Sequence, residues 1–522
     1  MPATFNERPH QNEKAEVLAY VRSLMEQARK ESNHEDLPKL EKLIELIDSK
    51  RYGLVWEEHA ELVEEEMKSK IPVFVEDESR KIKGNLASED YHFLLEGDNL
   101  HSLHLLEKTH AGKIDVIYID PPYNTGNKDF IYNDKIVDKN DGYSHSKWLS
   151  FMSKRLEIAQ NLLSETGVIF ISIDDNEQAQ LKLLCDEVFG EENLSATFCV
   201  IRSEGGGMAK QVVKGHEYCF VFAKNLSKFI PLAKQKDVRG KIIEKDGIEY
   251  WIQEDWLRKE FGKYGNCHYE EIIEFKGQDF KDAVDQKLKS GEYVLLPKSN
   301  GLNIVGKLRR LDQDSSKFYS IIKHLNKEGV KEVRGAGIEF SYPKPISLVK
   351  DLVKGATFFS KKGIILDFFA GSGTTGHAVA QLNKEDGGNR KYILCTNNEN
   401  NICEEVTYKR LANIQEDLPH NLKYFKTQFI EKEDEDLEYA LLNNVKTLIE
   451  LEHAIDLEES DKAVAFTLSE IRELDLTGIK TVYVRQHSHA LMEKEDRVRY
   501  EGIELIDVPE YYFAKEMKEA GL

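Results

Sequence analysis

The chain has 522 residues, more than one compact domain normally holds, and its 40 % apolar and 32 % charged residues make a globular composition that should fold into roughly two to four domains. It contains no apolar run long enough to span a membrane, Met1–Glu16 has no signal-peptide core, and the six cysteines form no Cys-x-x-Cys pair. A membrane protein, a disulfide scaffold and a cysteine-held zinc site are thereby disfavoured, and a reducing cytoplasm is the expected setting.

Residues 11–69 read as helices. Val17, Val21 and Leu24 recur at helical spacing, as do Leu40, Leu43, Ile44 and Ile47, and Trp56, Ala60 and Val63 suggest a third helix. The expected N-terminal extension therefore covers 1–70, and the polar stretch Glu76 to Ser88 reads as a linker. From Tyr91 strands and helices alternate. The strand His92–Glu96 ends at Gly97-Asp98-Asn99, and a helix through Leu103 and Leu106 leads to the apolar run Ile114–Ile119. That run ends in Asp120-Pro121-Pro122-Tyr123. The two prolines fix φ and remove two N–H donors, which leaves a stiff rim of carbonyls at the strand end. Asp120 and the Pro121 carbonyl can accept the two hydrogens of an exocyclic amine, and Tyr123 offers a flat face to a planar base. The plainer alternative is a proline turn with Tyr123 filling the core.

A long polar loop, Asn124 to Ser146, follows this motif and could close over a ligand. A helix from Lys147 to Leu163, the strand Gly167–Ile173, a helix reaching Phe189 and the strands Thr197–Ile201 and Glu217–Phe222 come next, with Ser203–Gly207 as a flexible turn. Residues 224–335 then lose the alternation and mix Tyr250, Trp251, Trp256, Phe261 and Tyr264 with Lys307, Arg309 and Arg310. Charge is unevenly placed: residues 202–350 carry 28 Lys and Arg against 21 Asp and Glu, whereas residues 426–522 carry 12 against 24 and the whole chain is at −21. A basic middle in an acidic chain suits nucleic-acid contact, although a solvated basic face would look the same.

Beyond the segment Phe340–Pro345 and a helix through Leu348 and Val353, the strand Ile364–Phe369 runs into Ala370-Gly371-Ser372-Gly373-Thr374-Thr375-Gly376. A glycine-rich turn between strand and helix lets a cofactor approach the backbone closely. A helix from Thr374 to Leu382, the strand Lys391–Thr396 ending at Asn397-Asn398-Glu399, and a helix from Ile402 complete this part. An acidic linker at 431–438 leads to a small α/β module. His487 and His489 in that module read as surface residues, not metal ligands.

The pair Asp-Pro-Pro-Tyr and Asp-Phe-Phe-Ala-Gly-Ser-Gly resembles the catalytic motif and the cofactor loop of the DNA amino-methyltransferases that use S-adenosylmethionine. The catalytic motif comes first, which is the permuted order of their beta group. Within it, the chain is most similar to the modification subunits of Type III restriction-modification systems. The resemblance implies a doubly wound, Rossmann-like α/β methyltransferase core assembled from 91–224 and 336–424, with a target-recognition domain at 225–335 and the acidic module at 426–522. It implies adenine N6 as the methyl acceptor in DNA, because the related cytosine-N4 enzymes usually carry Ser in place of Asp120.

The resemblance also assigns the site residues. Asp120, Pro121, Pro122 and Tyr123 would be catalytic, and no metal is implied. Asp367, Phe369, Ala370, Gly371, Ser372 and Gly373 would hold the methionine portion of the cofactor, with Phe340, Lys344 and Pro345 lining the same end. Asp98 would lie near its adenine, although an ordinary helix cap would look alike. The acid expected at the end of the strand after the loop is displaced, which leaves Glu399 or Asn398 for the ribose. Double-stranded DNA, a second copy of the chain and a separate ATP-dependent nuclease are the implied partners, since no Gly-x-x-x-x-Gly-Lys-Ser/Thr loop is present. A solitary methyltransferase, a cytosine-N4 enzyme and, from Gly371-x-Gly-x-x-Gly376 alone, a dehydrogenase remain the alternatives.

Overall fold

A computed structural model describes residues 13–30, 36–48, 56–126, 130–133, 135–137, 141–205, 212–238 and 240–521. Part of the long loop after Tyr123 and Gly206–Gly207 of the expected turn lie outside the described residues. The chain divides into two units, Met1–Glu57 and Glu58–Leu522. In the first, the helices Glu13–Lys30 and Leu37–Asp48 pack on each other, as the helical spacing predicts.

The second unit is built on one large sheet. Its principal strands in chain order are β1 (Lys70–Glu76), β2 (His92–Glu96), β3 (Ile114–Ile119), β4 (Leu163–Ile173), β5 (Leu194–Ile201), β6 (His216–Ala223), β7 (Ile321–Lys323), β8 (Lys362–Asp367), β9 (Asn389–Thr396) and β10 (Asn421–Glu431). In space they run β1, β10, β2, β9, β8, β3, β4, β6, β5, β7. The central strands from β10 to β4 are parallel, while β1 and β6 pair antiparallel with their neighbours. Parallel strands are covered on both faces, which is why β3, β8 and β9 read as nearly unbroken apolar runs. Val116, Ile365 and Leu394 are buried in the main core.

The helices that cover this sheet include α1 (Asn99–His110), α2 (Ser144–Leu162), α3 (Ile346–Ala356) and α4 (Thr374–Asp386). β8 leads through α4 to β9 on one side, and β3 leads through α2 to β4 on the other. The crevice between the ends of β8 and β3 is therefore the topological switch point, where open α/β sheets bind ligands. Two halves of the chain, far apart in sequence, meet there with Ile365 beside Val116 and Leu366 beside Ile117.

The sheet extends past the boundaries that the sequence suggests. Lys70–Glu76, placed between the helical extension and a linker, forms the edge strand β1 against β10. Ile71, Val73 and Phe74 are buried, and Pro72 is tolerated because an edge strand can spare an N–H. At the other edge, Ile321–Lys323 leaves the insertion and pairs parallel with Cys199–Ile201.

The insertion itself has its own core of Leu257, Cys267, Ile272, Val284, Tyr293 and Val305 under an antiparallel sheet of Ile242–Lys245, Ile248–Gln253, Asn303–Arg310 and Tyr293–Pro297. Two of its basic residues are paired internally, Arg309 with Asp314 at 2.9 Å and Arg310 with Asp312 at 2.7 Å. The helix Val445–His453 packs on the main sheet, with the Thr447 hydroxyl donating to the Phe74 carbonyl at 3.0 Å. The separate C-terminal module is a parallel sheet of Lys462–Ala465, Thr481–Arg485 and Glu504–Val508 around Ile471, Val482 and Met492. Among the described residues no helix is long and apolar enough to cross a membrane, and no cluster of His, Cys, Asp and Glu could hold a metal ion.

Candidate active site

Asp120 ends β3 and is anchored through one oxygen. Its Oδ1 accepts the Tyr123 hydroxyl at 2.8 Å and lies 3.3 Å from Lys344 Nζ. Lys344 arrives from the turn before α3 and donates to Glu217 Oε1 on β6 at 2.7 Å and to the Tyr123 hydroxyl at 2.6 Å. Burial lifts the Asp120 carboxyl above its ordinary range, Lys344 pulls against that rise, and Glu217 adds to it. Burial works against the charge on Lys344, but Asp120 and Glu217 more than offset it, so the ammonium holds its proton more firmly than a free lysine. The Pro122 carbonyl accepts the Nε1–H of the buried Trp148 at 2.7 Å. Beyond Tyr123, Asn124 Nδ2 donates to the buried Glu177 at 2.6 Å, which ties down the start of the following loop.

The glycine loop ends β8. Asp367, only 3 % exposed, accepts the Phe369 N–H at 3.0 Å and the Thr375 hydroxyl at 2.5 Å, and burial pushes its carboxyl up to about 7. Gly373 has φ 73°, and a Cβ there would stand 3.2 Å from Thr407 Cγ2. At Gly376 a Cβ would meet Leu411 at 2.9 Å, so α4 lies against its neighbours more closely than a side chain allows. The loop is braced from behind. Arg410, fully buried, donates to the Ser372 carbonyl at 3.1 Å and to the Thr374 hydroxyl at 3.0 Å, while the Thr407 hydroxyl donates to the Gly371 carbonyl at 2.6 Å. Burial brings the Arg410 guanidinium down to about 10.

A cavity of about 580 Å³ runs between these loops. Of the residues singled out in the sequence, Asp98, Asp120, Pro121, Pro122, Phe340, Lys344, Asp367, Phe369, Ala370, Gly371, Ser372 and Glu399 line it. Pro345 and Gly373 stand behind it as the residues that begin α3 and α4. Tyr123 is turned so that its hydroxyl serves the ion cluster behind Asp120. Asn398 points away as well: its Oδ1 accepts the backbone N–H groups of Cys403 at 3.1 Å and Glu404 at 3.2 Å. Asp98 combines both readings, for it lines the cavity while accepting the Leu100 N–H at 2.8 Å as the cap of α1.

The sequence left wall residues such as Glu61 and Asn99 unmarked. Behind them Arg155, fully buried, donates to Asn99 Oδ1 at 2.6 Å and to Glu61 at 2.8 Å and lies 3.3 Å from Asp98. Asn99 in turn donates to the Phe368 carbonyl at 2.8 Å, linking α1 to the glycine loop. Glu61, Leu62 and Val63 line the cavity too, and the hairpin that follows the catalytic motif is tied to them by Asn133, whose Oδ1 accepts the Leu62 N–H at 2.8 Å. No local pattern marks these residues, because each is a single polar or apolar position on an otherwise ordinary element.

A carboxylate with a proline rim and a glycine loop at adjacent parallel strand ends define a class, and the DNA methylase family profile matches residues 114–408, more than half of the chain. The chain belongs to that family. Its relatives include the Mod subunit of the StyLTI Type III restriction-modification enzyme of Salmonella typhimurium, 34 % identical over 369 residues that cover 62 % of this chain and 56 % of that one. The EcoPI Mod subunit of Escherichia phage P1 is 32 % identical over 387 residues, 59 % and 57 % of the two chains. The Type II methyltransferase M.KpnI of Klebsiella pneumoniae is 32 % identical over 385 residues, 64 % of this chain and 90 % of that one. The match thus spans little more than half of the Mod subunits.

Proposed function

We propose that this chain transfers the methyl group of S-adenosylmethionine to the N6 amine of adenine in DNA. The observation that carries the reading is the single cavity lined by both Asp120 and the Phe369–Ser372 loop. Its lining suits the cofactor: the loop backbone gives close approach, Phe369 and Phe340 offer apolar surface, and Glu399 and Asp98 are acceptors for hydroxyl or amine groups. The cofactor supplies a methyl group already activated on a sulfonium. The chain's part is to align the amine with it and to stabilise positive charge growing on nitrogen, with Asp120 and the Pro121 carbonyl as acceptors. A base inside a duplex cannot reach Asp120, so the target must leave the stack. Asp at position 120, not the Ser usual in cytosine enzymes, favours adenine. Incubation with labelled cofactor and mixed DNA, followed by digestion to nucleosides, tests this: label in N6-methyladenine is expected, label in N4-methylcytosine would reassign the base, and unlabelled DNA would refute the reading.

The likeness to Mod subunits supports a modification role beside a separate ATP-dependent nuclease, action as a homodimer, target reading by 225–335, and residence in the cytoplasm with the DNA. Co-purification with a nuclease, light scattering and exchange of 225–335 for that of a relative with another target test these in turn. A chimera that still marks the original site would refute the assignment of recognition to the insertion.

A further inference from the structure

The Lys344 and Glu217 side chains are 8 % and 1 % exposed, and a buried ion pair is a costly way to fill space compared with apolar side chains of similar volume. This pair sits directly behind Asp120. We propose that Glu217 and Lys344 are positioning residues for methyl transfer: together they fix the orientation of Asp120 and offset each other's charge behind it. The proposal rests on the methyltransferase reading above.

The contacts argue for it in three steps. First, Tyr123 at 2.8 Å and Lys344 at 3.3 Å both approach Oδ1 of Asp120, so Oδ2 is the oxygen turned over to an incoming amine. Second, burial and the nearby Glu217 carboxylate both raise the proton affinity of Asp120, and the Lys344 ammonium between the two carboxylates works against that rise. Third, Glu217 balances that ammonium, which alone would oppose positive charge growing on the nitrogen. In the transfer, the nitrogen lone pair forms the N–C bond as the C–S bond breaks with its electron pair remaining on sulfur. One N–H proton then passes to Asp120 Oδ2 and on to water. Lys344 also ties the two loops together, since its carbonyl accepts the Thr374 hydroxyl at 3.3 Å.

The titratable groups facing Asp120 are Lys344, Glu217, Tyr123, Tyr118, Cys219 and Asp367. Arg202 lies 3.9 Å from Glu217 Oε2, the oxygen not bonded to Lys344. Among these, Lys344 is the cation in contact with Asp120, so its loss should let the carboxyl keep its proton to higher pH. Loss of Glu217 acts in the opposite direction.

The test uses Lys344→Met, Glu217→Gln and the double variant of the full chain, with kcat, KM and rate measured against pH and cofactor affinity measured by calorimetry. Lys344→Met should lower kcat by about 10²-fold and move the acid limb up by about 1 pH unit or more. Glu217→Gln should lower kcat by about tenfold and move the limb down. The double variant should return the limb toward wild type, with a loss well short of the product of the two. Cofactor affinity should stay within about a factor of 3 in Glu217→Gln, whose side chain does not line the cavity. An unmoved limb in Lys344→Met, losses that multiply, or a fall in cofactor affinity large enough to explain the rates would each overturn the pair's role. A wild-type chain that labels no DNA would instead remove the methyltransferase reading itself.

Discussion

Asp120 and Asp367 end neighbouring parallel strands, yet their surroundings differ in kind. Asp120 faces an ammonium that is shared with a second carboxylate, whereas Asp367 is held by a hydroxyl and a backbone N–H. The neutral partners leave burial in command at Asp367, and its carboxyl is pushed up to about 7. At Asp120 the Lys344 ammonium works against burial, and the contacts of Lys344 and Tyr123 fall on one oxygen, Oδ1. Two identical side chains at the ends of neighbouring strands are thus held by different partners, which under the proposed function would fit one to charge developing in the reaction and the other to shaping the glycine loop.

The comparison predicts the largest loss at Asp120. Asp120→Ala should reduce methyl transfer by about 10²-fold or more, with cofactor binding retained, because the interaction it removes belongs to the transition state. A single-turnover assay that finds more than about a tenth of the wild-type rate would break the assignment. Next comes the loop that Asp367 shapes. Gly373→Ala forces a side chain to adopt φ 73° against Thr407 and should cost about 1–2 kcal/mol. It should appear as a cofactor Kd raised about tenfold by calorimetry, with transfer at saturating cofactor little changed.

A smaller effect separates the two aspartates by pH. A carboxyl held above its ordinary 3.8 binds its proton more tightly in the fold, so its contribution to stability is complete below that value and is lost as pH rises through about 7. Asp367→Asn removes the titration. Its Tm should therefore gain on that of the wild-type chain between about pH 4 and pH 7, and parallel curves would show that Asp367 does not titrate there. The smallest effects concern the strand end beyond the loop. Glu399→Gln should weaken cofactor binding by a few-fold at most, about 1 kcal/mol for one exposed acceptor. Asn398→Ala should cost about 1 kcal/mol of stability through its lost cap and leave cofactor affinity unchanged. The reverse pattern in titration calorimetry and thermal melts would exchange their roles.

Much of the core was legible in the sequence because its signals are local. An apolar run such as Ile114–Ile119 can be buried on both faces only as an inner strand, two prolines stiffen the rim that follows it, and glycines at 371, 373 and 376 admit backbone approaches that no other residue allows. The α/β class followed from such patterns, while the permuted order of the motifs and the meeting of two distant loops were implied by their resemblance to the methyltransferase motifs. What the sequence could not reveal lies in contacts made once the chain has folded. Glu217 reads as an ordinary polar residue on a strand until β6 packs in the sheet and Lys344 arrives from beyond the insertion. Glu61 lines the cavity while its carboxylate is held by Arg155, which arrives from a helix far along the chain. At the strand end, before a turn in which Asn400 and Asn401 adopt φ of 52° and 59°, Asn398 bonds to the start of the next helix and Glu399 lines the cavity. Lys70–Glu76 is a strand because Asn421–Glu431 offers it an edge. Local pattern determines which segments can be strands and which turns are tight. The partner of a lone buried charge is decided by tertiary packing, because the free energy that fixes it comes from groups that are not neighbours in the chain.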